Sequence, residues 1–274
     1  MAKAFSVASW NVEHFADKEG RNEQRIEFLA EQKPDVVAIY EVEGKDVWRE
    51  LMDAMPRYSF FITEGRNTQE ILLGIAPGIT GFLTQRTEFQ ENNGFMRPGA
   101  LLTVQAHDER YALLFLHVAS WPRAGGFGLR ADMIDRAFEF RKALDKAAGG
   151  KANYIFLGDL NSMGLDYEYG KTGNKIDHDR IPAEHEISRL EYLGTKFDMR
   201  LLSKNSDATW GDPKKKSMRS NLDHVMASDD LTFKSFGGAE VDVRGWPKLP
   251  ADEQAEWMTT YSDHALLYFE VQRP

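Results

Sequence analysis

The sequence contains no cysteine among its 274 residues. This absence excludes disulfide bonds, thiolate catalysis and zinc sites with cysteine ligands. A protein without thiols is indifferent to the redox state around it, so the absence identifies no compartment. Only seven histidines are present, and none has the His-Glu-x-x-His spacing, which argues against a catalytic zinc site of that type.

Long apolar runs are also missing. No stretch approaches the roughly 18 apolar residues that a membrane-spanning helix requires. Lys3 is followed only by a short apolar run that soon meets Asn11 and Glu13, which does not match a secretory signal peptide. We therefore expect a cytoplasmic protein without a membrane span. The sequence does not predict its oligomeric state.

The charge balance is acidic, with 34 Lys and Arg against 43 Asp and Glu and a net charge of -9. This balance argues against a wide basic surface for gripping duplex nucleic acid, although it allows a local basic groove. A hydrophobic content of 42% and a charged content of 28% are ordinary for a globular protein. The length suffices for one large domain or two small ones.

The most informative stretch runs from Tyr154 to Ser162 and reads YIFLGDLNS. Its four leading apolar residues predict a buried strand, and an acid and an amide follow at the strand end. Side chains alternate along an extended backbone, so residues i and i+2 point the same way. We therefore expect Asp159 and Asn161 to face one point. Asn11 and Glu13 repeat this spacing after the first predicted strand.

Apolar periodicity and turn residues predict a strand-rich chain. Helices are predicted over 21–32, 45–55, 129–147 and 184–193, and turns at Pro77-Gly78 and Asn92-Asn93-Gly94. Strands are predicted at Ala4–Trp10, Val36–Tyr40, Tyr58–Thr63, Glu70–Ile75, Thr80–Gln85, Ala100–Ala106, Tyr111–Val118, Tyr154–Leu157, Asn221–Met226 and Ala265–Val271. Residues 163–183 and the segment with Gly125, Gly126 and Gly128 are expected to be loops, the second of them mobile. Two strand-rich halves predict an α+β fold with two packed sheets and helices outside.

Polar side chains recur where six apolar strands end. They are Asn11, Glu13, Glu41, His117, Asp159, Asn161, Asp223, Asp263 and His264. Any single one could be a helix cap, a turn residue or a structural histidine, but their recurrence favours a shared site. Carboxylates and amides suit a hard cation such as Mg²⁺ or Mn²⁺, and a hard cation beside histidines suits phosphoryl chemistry. Neighbours on a strand point apart, so Asp223 is a better partner for His264 than Asp263.

The ordered motifs SWNVE, IYEVE, LHVAS, GDLNS, NLDHV and SDHALLYFEV resemble the endonuclease/exonuclease/phosphatase superfamily, in particular its deoxyribonuclease I-like branch. The resemblance extends from about Phe5 to Val271. It implies a four-layer αββα sandwich of two mixed sheets, with residues 1–274 forming a single catalytic domain. It also implies that the site lies at the strand ends between the sheets.

The resemblance further implies a Mg²⁺-dependent phosphodiester hydrolase, with DNA as the leading substrate. Glu41 would be the principal Mg²⁺ ligand, and Mn²⁺ could replace the ion. Asn11, Glu13 and Asp263 would lie beside Glu41. The expected partner is thus a phosphodiester, a nucleic acid in the leading interpretation.

The catalytic roles implied by the resemblance fall on the remaining strand ends. Asp159 would orient or activate the attacking water, and Asn161 would bind the scissile phosphate. His264, held by Asp223, would hydrogen-bond to that phosphate and polarise it.

Three further residues take roles from the resemblance. His117 matches a histidine that serves the leaving group, and Glu70 stands where its supporting acid is expected. Arg97, in Met96-Arg97-Pro98-Gly99, stands where many members keep an arginine that contacts phosphate.

Two other functions stay open on the sequence alone. Glu43 stands where the deoxyribonuclease I-like branch keeps an arginine that touches DNA. This acid and the net negative charge favour a phosphomonoesterase, or a lipid or headgroup phosphodiesterase of the inositol-phosphate or sphingomyelin type. A non-catalytic binding protein on the same scaffold is the third interpretation.

Two segments outside the motifs also admit two interpretations each. Lys214-Lys215-Lys216 and Arg219 could steer a polyanion towards the site or form a solvated loop. Trp121 could stack on a base or pack against the sandwich.

Overall fold

The structure, a computed structural model, describes residues 2–16, 20–44, 47–65, 69–90, 96–172, 175–215 and 217–273. The turn predicted at Asn92-Asn93-Gly94 and the first two residues of the helix predicted over 45–55 lie outside this description. Within it, no helix is long and apolar enough to span a membrane.

The described ranges contain sixteen strands and five α-helices. The strands are β1 (Lys3–Phe15), β2 (Val36–Val42), β3 (Ser59–Ile62), β4 (Glu70–Ile75), β5 (Thr80–Arg86), β6 (Gly99–Ala106), β7 (Glu109–His117), β8 (Asn153–Asp159), β9 (Leu165–Thr172), β10 (Lys175–Ile181), β11 (Met199–Leu201), β12 (Trp210–Gly211), β13 (Arg219–Ser220), β14 (Asp223–Ser228), β15 (Asp242–Arg244) and β16 (Leu266–Gln272). The helices are α1 (Asn22–Glu31), α2 (Val47–Ala54), α3 (Ala124–Ala148), α4 (Ala183–Lys196) and α5 (Gln254–Thr260). Single 3₁₀ turns occupy Thr87–Gln90 and Trp246–Lys248.

Most strands belong to two six-stranded sheets. The first sheet has the order β15-β16-β1-β2-β4-β3, and the second has the order β11-β14-β8-β7-β6-β5. Both sheets are mixed, because β1 runs parallel to β2 and β7 runs parallel to β8 while their other neighbours are antiparallel. Two small ribbons, β9 with β10 and β12 with β13, complete the strand pairing.

The two sheets pack face to face around a shared apolar core. Phe5 of β1 and Tyr111 of β7 meet across it, with ring centroids 4.9 Å apart. On the outer face of the first sheet, Leu29 of α1 and Leu51 of α2 are fully buried. On the outer face of the second sheet, Phe138 of α3 packs edge-on against Phe156 of β8. The layers are therefore helix, sheet, sheet and helix, which confirms the predicted αββα sandwich.

The register of the second sheet places the predicted site residues side by side. His117 at the end of β7 is opposite Asp159 at the end of β8. Asp159 is in turn opposite Asp223, the first residue of β14. In the first sheet, Asn11 of β1 is opposite Tyr40, so Glu41 lies one residue beyond this pair. Residues far apart in sequence thus reach one end of the sandwich.

The prediction of a loop over 163–183 is wrong. This segment forms the β9–β10 ribbon, with Asp166 opposite Arg180 and Tyr167 opposite Asp179. Apolar or aromatic residues alternate with acids from Leu165 to Tyr169, which is the period of a strand.

The prediction of a mobile glycine-rich loop is also wrong. Gly125, Gly126 and Gly128 lie in the first turns of α3, which begins at Ala124. Gly126 has a packing reason, because a Cβ there would lie 2.2 Å from the carbonyl oxygen of Trp121. The glycines therefore start the helix against the preceding segment instead of loosening the chain.

Candidate active site

The strand ends open into one pocket of about 590 Å³. It is lined by most of the predicted site residues, namely Glu13, Glu41, His117, Asp159, Asn161, Asp263 and His264. Asn11 and Asp223 are buried beneath it, each hydrogen-bonded to a lining residue. The structure thus brings together the residues that the sequence placed at separate strand ends.

Asp159 lies at the centre of this arrangement and is almost fully buried. One carboxylate oxygen, Oδ2, accepts a hydrogen bond from Asn11 Nδ2 at 3.0 Å. The other oxygen, Oδ1, accepts the backbone N–H of Asn161 at 3.1 Å. Burial raises the pKa of Asp159, although the nearby His264 opposes the rise.

Asp159 and Asn161 converge, but not by strand alternation. β8 ends at Asp159, and Asn161 has a left-handed backbone with φ 46°. Asn11 and Glu13 repeat this arrangement, since Asn11 Oδ1 accepts the N–H of Glu13 at 3.0 Å and Glu13 has φ 51°. In both pairs a short polar side chain bonds the backbone two residues on, as in an Asx turn. Asp159 and Asn161 both line the pocket, but strand alternation is not what brings them there.

His264 forms a buried ion pair with Asp223. The distance from His264 Nδ1 to Asp223 Oδ2 is 2.9 Å, and His264 Nε2 lies 3.7 Å from Asp159 Oδ2. Burial opposes charging of the imidazole, but Asp223 and Asp159 outweigh it and raise the pKa of His264 well above its usual value. Thr209 supports the pair, because its hydroxyl oxygen accepts the N–H of Asp223 at 3.0 Å.

His117 is buried on the opposite side of Asp159. Its Nε2 atom lies 3.5 Å from Asp159 Oδ2 and 3.6 Å from Glu41 Oε1. Burial and the nearby Arg97 lower the pKa of His117 well below its usual value, so its imidazole is neutral at pH 7. Its Nδ1 atom has no hydrogen-bond partner within the described residues.

The expected pairing of Glu70 with His117 is not present. Glu70 Oε2 accepts a hydrogen bond from the hydroxyl of Thr63, and Oε1 accepts the N–H of Gly65 at 2.6 Å. Thr63 follows β3, the strand next to β4, so a local strand contact takes up the carboxylate that the resemblance assigned to His117.

Arg97 lies near the acids of the site. Its guanidinium donates a hydrogen bond to Gln69 Oε1. Burial lowers the pKa of Arg97, while the carboxylates of Glu41 and Asp159 favour its charged form. A positive group therefore stands next to the acids where the sequence predicted a phosphate contact.

Two groups of side chains could hold a metal ion. The first is the predicted set of Glu41, Asn11, Glu13 and Asp263. Within it, Glu41 Oε1 accepts a hydrogen bond from Asn11 Nδ2 at 3.1 Å. In this set Asp263 Oδ1 is buried without a hydrogen-bond partner among the described residues. Burial and the neighbouring Asp263 carboxylate raise the pKa of Glu13, and the nearby Arg21 and Arg25 offset this rise only in part.

The second group consists of Asp159, Asp223 and His264, whose potential ligand atoms lie within 4.8 Å of one another. It differs from the predicted set and contains the ion pair already described. His264 Nδ1 is occupied by Asp223, so binding a metal there would have to rearrange a satisfied hydrogen bond. The first group instead holds an unpaired buried oxygen, and its chemistry fits a hard cation better.

The backbone around the pocket is strained. His14, Glu41 and Gln69 have positive φ angles of 56°, 62° and 83°, in addition to Glu13 and Asn161. Side chains with a Cβ rarely adopt this conformation, and such residues persist where the surrounding structure holds them. Most of the non-glycine residues with positive φ in the described chain thus lie at this site.

Several site residues were not predicted from the sequence. His14 lines the pocket, and its Nδ1 atom lies 2.6 Å from Glu43 Oε1. Trp210 Nε1 donates a hydrogen bond to Asp263 Oδ2 at 2.7 Å. Asp166 of β9 also lines the pocket. His14 directly follows the predicted ligand Glu13, which is the one sequence feature that pointed to it. The sequence singled out Glu43 only as an acid at a position where related proteins contact DNA.

The two segments with open interpretations both border the pocket. Met218 and Ser220 line it, so the segment with Lys214 and Lys215 adjoins its mouth, while Lys216 lies outside the described residues. Arg219 is directed elsewhere, with its guanidinium 4.9 Å from the ring centroid of Trp246. Trp121 is 58% exposed, so its ring does not pack into the sandwich.

Solved structures with this fold share little sequence with the chain. Truncated TDP2 from Caenorhabditis elegans has a TM-score of 0.66 at 14% identity, covering 98% of each chain. TDP2 from D. rerio, complexed with a single strand DNA product, has a TM-score of 0.64 at 17% identity, covering 98% of this chain and 99% of that one. The Neisseria 3′ phosphatase NExo, bound to a product DNA hairpin, has a TM-score of 0.62 at 13% identity, covering 98% of this chain and 100% of that one. These similarities establish the fold.

Family membership follows from the sequence itself. No curated protein matches the chain as a relative. The sequence model described as the Endonuclease/Exonuclease/phosphatase family matches residues 8–264. This range contains all the pocket-lining residues and ends just before the final strand, β16. The chain therefore belongs to the endonuclease/exonuclease/phosphatase family of metal-dependent phosphoesterases.

Proposed function

We propose that the protein is a divalent-metal-dependent phosphodiester hydrolase that acts on nucleic acid, with DNA as the leading substrate. The observation that carries the proposal is the buried His264–Asp223 ion pair, which lies 3.7 Å from Asp159 in a pocket lined by further carboxylates. A charged imidazole beside a carboxylate provides one group for the phosphate and one for the attacking water. Residues 1–274 would form a single catalytic domain.

In this proposal Asp159 orients the attacking water and takes its proton. Asn11 and the backbone of Asn161 hold both carboxylate oxygens, so the direction of the carboxylate is fixed. Asn161 Nδ2 donates one hydrogen bond to the carbonyl oxygen of Val118 at 3.2 Å. Its second amide N–H would bind a non-bridging oxygen of the scissile phosphate.

His264 would stabilise the charge that develops on the phosphate. Asp223 keeps its Nδ1 proton in place, which directs Nε2 towards the pocket and Asp159. His117 would donate a hydrogen bond to the leaving oxygen but would not protonate it, because burial keeps the imidazole neutral. The leaving oxygen would take its proton from water. Arg97 would contact a phosphate oxygen. Glu70 would act only indirectly, because its carboxylate favours the charged form of Arg97.

Glu41, Glu13, Asp263 and the side-chain oxygen of Asn11 would hold the cation, with Mg²⁺ as the proposed ion and Mn²⁺ as a substitute. A bound divalent cation would neutralise phosphate oxygens and thereby lower the barrier to attack. The unpaired Asp263 Oδ1 atom and the crowded acids support this choice over the Asp159–Asp223–His264 group.

Two observations bear on the substrate. The structures of the D. rerio and Neisseria proteins were determined with DNA products, and they share the fold over nearly the whole chain. Against duplex binding, the acid Glu43 contacts His14, which lines the pocket, and accepts a hydrogen bond from Gln69. This acid favours the second candidate, a phosphomonoesterase or a headgroup phosphodiesterase. A cytoplasmic location remains a prediction from the sequence.

A substrate panel in Mg²⁺ separates these functions. It contains plasmid DNA, single-stranded DNA, abasic DNA, RNA, sphingomyelin and inositol phosphates, and the product of each reaction is quantified. We expect hydrolysis of at least one nucleic acid and its loss in EDTA. Turnover of inositol phosphates or sphingomyelin alone would favour the second candidate, and turnover of none would contradict both.

A further inference from the structure

Three exposed aromatic residues lie close in sequence to residues that line the active-site pocket. Trp121 lies between Ser120 and Pro122, and both of these residues line the pocket. Tyr167 and Tyr169 follow Asp166, which also lines it. All three aromatic residues are exposed, by 41% to 59% of their surface. We call Trp121, Tyr167 and Tyr169 the aromatic rim.

The two segments of the aromatic rim are joined to each other. The carbonyl oxygen of Pro122 accepts the N–H of Asp166 at 2.7 Å. The rings of Tyr167 and Tyr169 stack on each other, with centroids 6.4 Å apart and planes 29° apart. The backbones of the two rim segments are therefore joined to each other next to residues that line the pocket.

The backbone of the aromatic rim is fixed from below. Arg130 of α3 is 1% exposed and donates hydrogen bonds to the carbonyl oxygens of Trp121 at 2.7 Å and Gly164 at 2.6 Å. Glu186 of α4 pairs with Arg130 at 2.8 Å and accepts the N–H of Gly164 at 2.6 Å. Because this backbone is fixed, only the side-chain rotamers of Trp121 have to be ordered when a ligand binds.

A planar apolar ligand fits these rings. Nucleobases stack on aromatic side chains without regard to sequence, but only when they are unpaired and free of their neighbours. The acidic net charge of -9 leaves little basic surface for a backbone-based grip on a duplex, so stacking has to supply more of the binding. Because Ser120 and Pro122 line the pocket on either side of Trp121, its ring would meet a base flanking the scissile phosphate.

We infer that the aromatic rim stacks on unpaired nucleobases beside the scissile phosphate, and that the substrate is a single-stranded stretch or frayed end of nucleic acid. This inference rests on the proposed function and specifies its substrate class. The shared chemistry is the unpaired base, which DNA and RNA both offer.

The test compares Trp121→Ala and Trp121→Phe with the wild-type protein. Phe82→Ala is the matched control, since Phe82 is 69% exposed on the edge strand β5. The probes share one base sequence: single-stranded DNA, single-stranded RNA, blunt duplex DNA and a DNA strand whose bases are replaced by abasic tetrahydrofuran residues. kcat/KM is measured on each in Mg²⁺, and thermal unfolding of each variant verifies its fold.

We expect the wild-type protein to prefer a single strand over the blunt duplex and over the abasic strand. Trp121→Ala should lower kcat/KM on the preferred single strand by about tenfold, from the energy of one base–aromatic stack. Trp121→Phe should restore most of this loss, and Phe82→Ala should match the wild type. On the abasic strand Trp121→Ala should have no effect.

Equal rates of the wild-type protein on the normal and abasic strands would overturn the inference while leaving phosphodiester hydrolysis established. An equal loss by Trp121→Ala on both strands would overturn it as well, because that loss would reflect the scaffold and not the bases. Failure of the wild-type protein on every strand would instead contradict the proposed function.

Discussion

At the scale of single residues, the site depends on which of its buried side chains are charged and which are neutral. His264 is charged beside Asp223 and Asp159, whereas His117 is neutral only a few ångströms away from the same Asp159. The difference comes from the neighbours, since both imidazoles are buried. Two histidines of one pocket can therefore serve different roles.

The first prediction concerns the partner of His264. Asp223→Asn removes the charge that holds the imidazole, and we expect kcat/KM on the nucleic acid substrate to fall by about 10² or more. Thermal unfolding should show a folded protein. Asp108→Asn, on an exposed turn, is the control and should retain full activity. Activity of Asp223→Asn within twofold of wild type would remove the pair from the mechanism.

The second prediction concerns the pH dependence of stability. His224 is fully buried, and burial and the nearby Lys204 lower its pKa well below the usual value. Below about pH 6.5, the imidazole of His224 therefore binds a proton in the unfolded chain but stays neutral in the native protein. The free energy of unfolding thus falls as the pH drops. The contribution is at most about 1.4 kcal/mol per pH unit for one such group.

His224→Gln should reduce this slope between pH 6.5 and pH 5, as measured by urea unfolding at several pH values. Some slope should remain, because His117 is also buried and neutral. His107→Gln, on an exposed turn, controls for the loss of any one imidazole. An unchanged slope in His224→Gln would contradict the assignment.

At the scale of elements, the third prediction concerns the link between α3 and α4. Arg130→Met leaves Glu186 without its cationic partner and removes the hydrogen bonds to the carbonyl oxygens of Trp121 and Gly164 beside it. We expect a loss of about 3–5 kcal/mol in the free energy of unfolding, measured with urea.

Arg189→Met is the matched control for this link. Arg189 also joins α4 to α3, through Asp135 at 2.6 Å, but both side chains are partly exposed. Its loss should cost at most about 1 kcal/mol. Similar losses for Arg130→Met and Arg189→Met would show that burial does not set the strength of the link.

The elements that sequence patterns predicted well are those with a simple period. The buried strands β2, β7 and β8 have continuous apolar runs, and the amphipathic part of α3 has apolar residues at helical spacing. The ribbon β9–β10 was missed because most of its residues are polar or charged on both faces, and its two tyrosines are exposed instead of packed in a core.

Sequence patterns predicted which residues form the site better than they predicted the contacts of those residues. Strand ends supplied Asp159, His264 and Glu41 because the chemistry needs those residue types there. The contact of Glu70 was not predictable, because it depends on the hydroxyl of Thr63 reaching across from the neighbouring strand. Long-range side-chain geometry of this kind has no counterpart in sequence spacing.

At the scale of the whole molecule, the site joins the two sheets. Asn11 and Glu41 come from the first sheet, and Asp159 and His117 come from the second. Asn11 donates hydrogen bonds to both Glu41 and Asp159, so its side-chain amide links the two sheets at this end. Crowded acids at such a junction destabilise the apo protein, and a cation between them should stabilise the entire sandwich.

The fourth prediction follows from this junction. Saturating Mg²⁺ should raise the Tm of the wild-type protein, because a ligand at about 100 times its Kd stabilises the folded state by about 2.7 kcal/mol. Glu41→Gln should lose most of this shift, while Glu50→Gln on the exposed face of α2 should keep it. A full shift in Glu41→Gln would place the cation elsewhere.

The fifth prediction tests the central claim, that Asp159 acts on the attacking water. The measurement is kcat/KM of Asp159→Asn on a single-stranded DNA phosphodiester with saturating Mg²⁺, alongside its Tm and far-UV circular dichroism. The amide keeps the shape and the hydrogen bond to the N–H of Asn161 but cannot take a proton. We predict a folded protein whose kcat/KM is lower by about 10³ or more. Wild-type activity in folded Asp159→Asn would contradict the account.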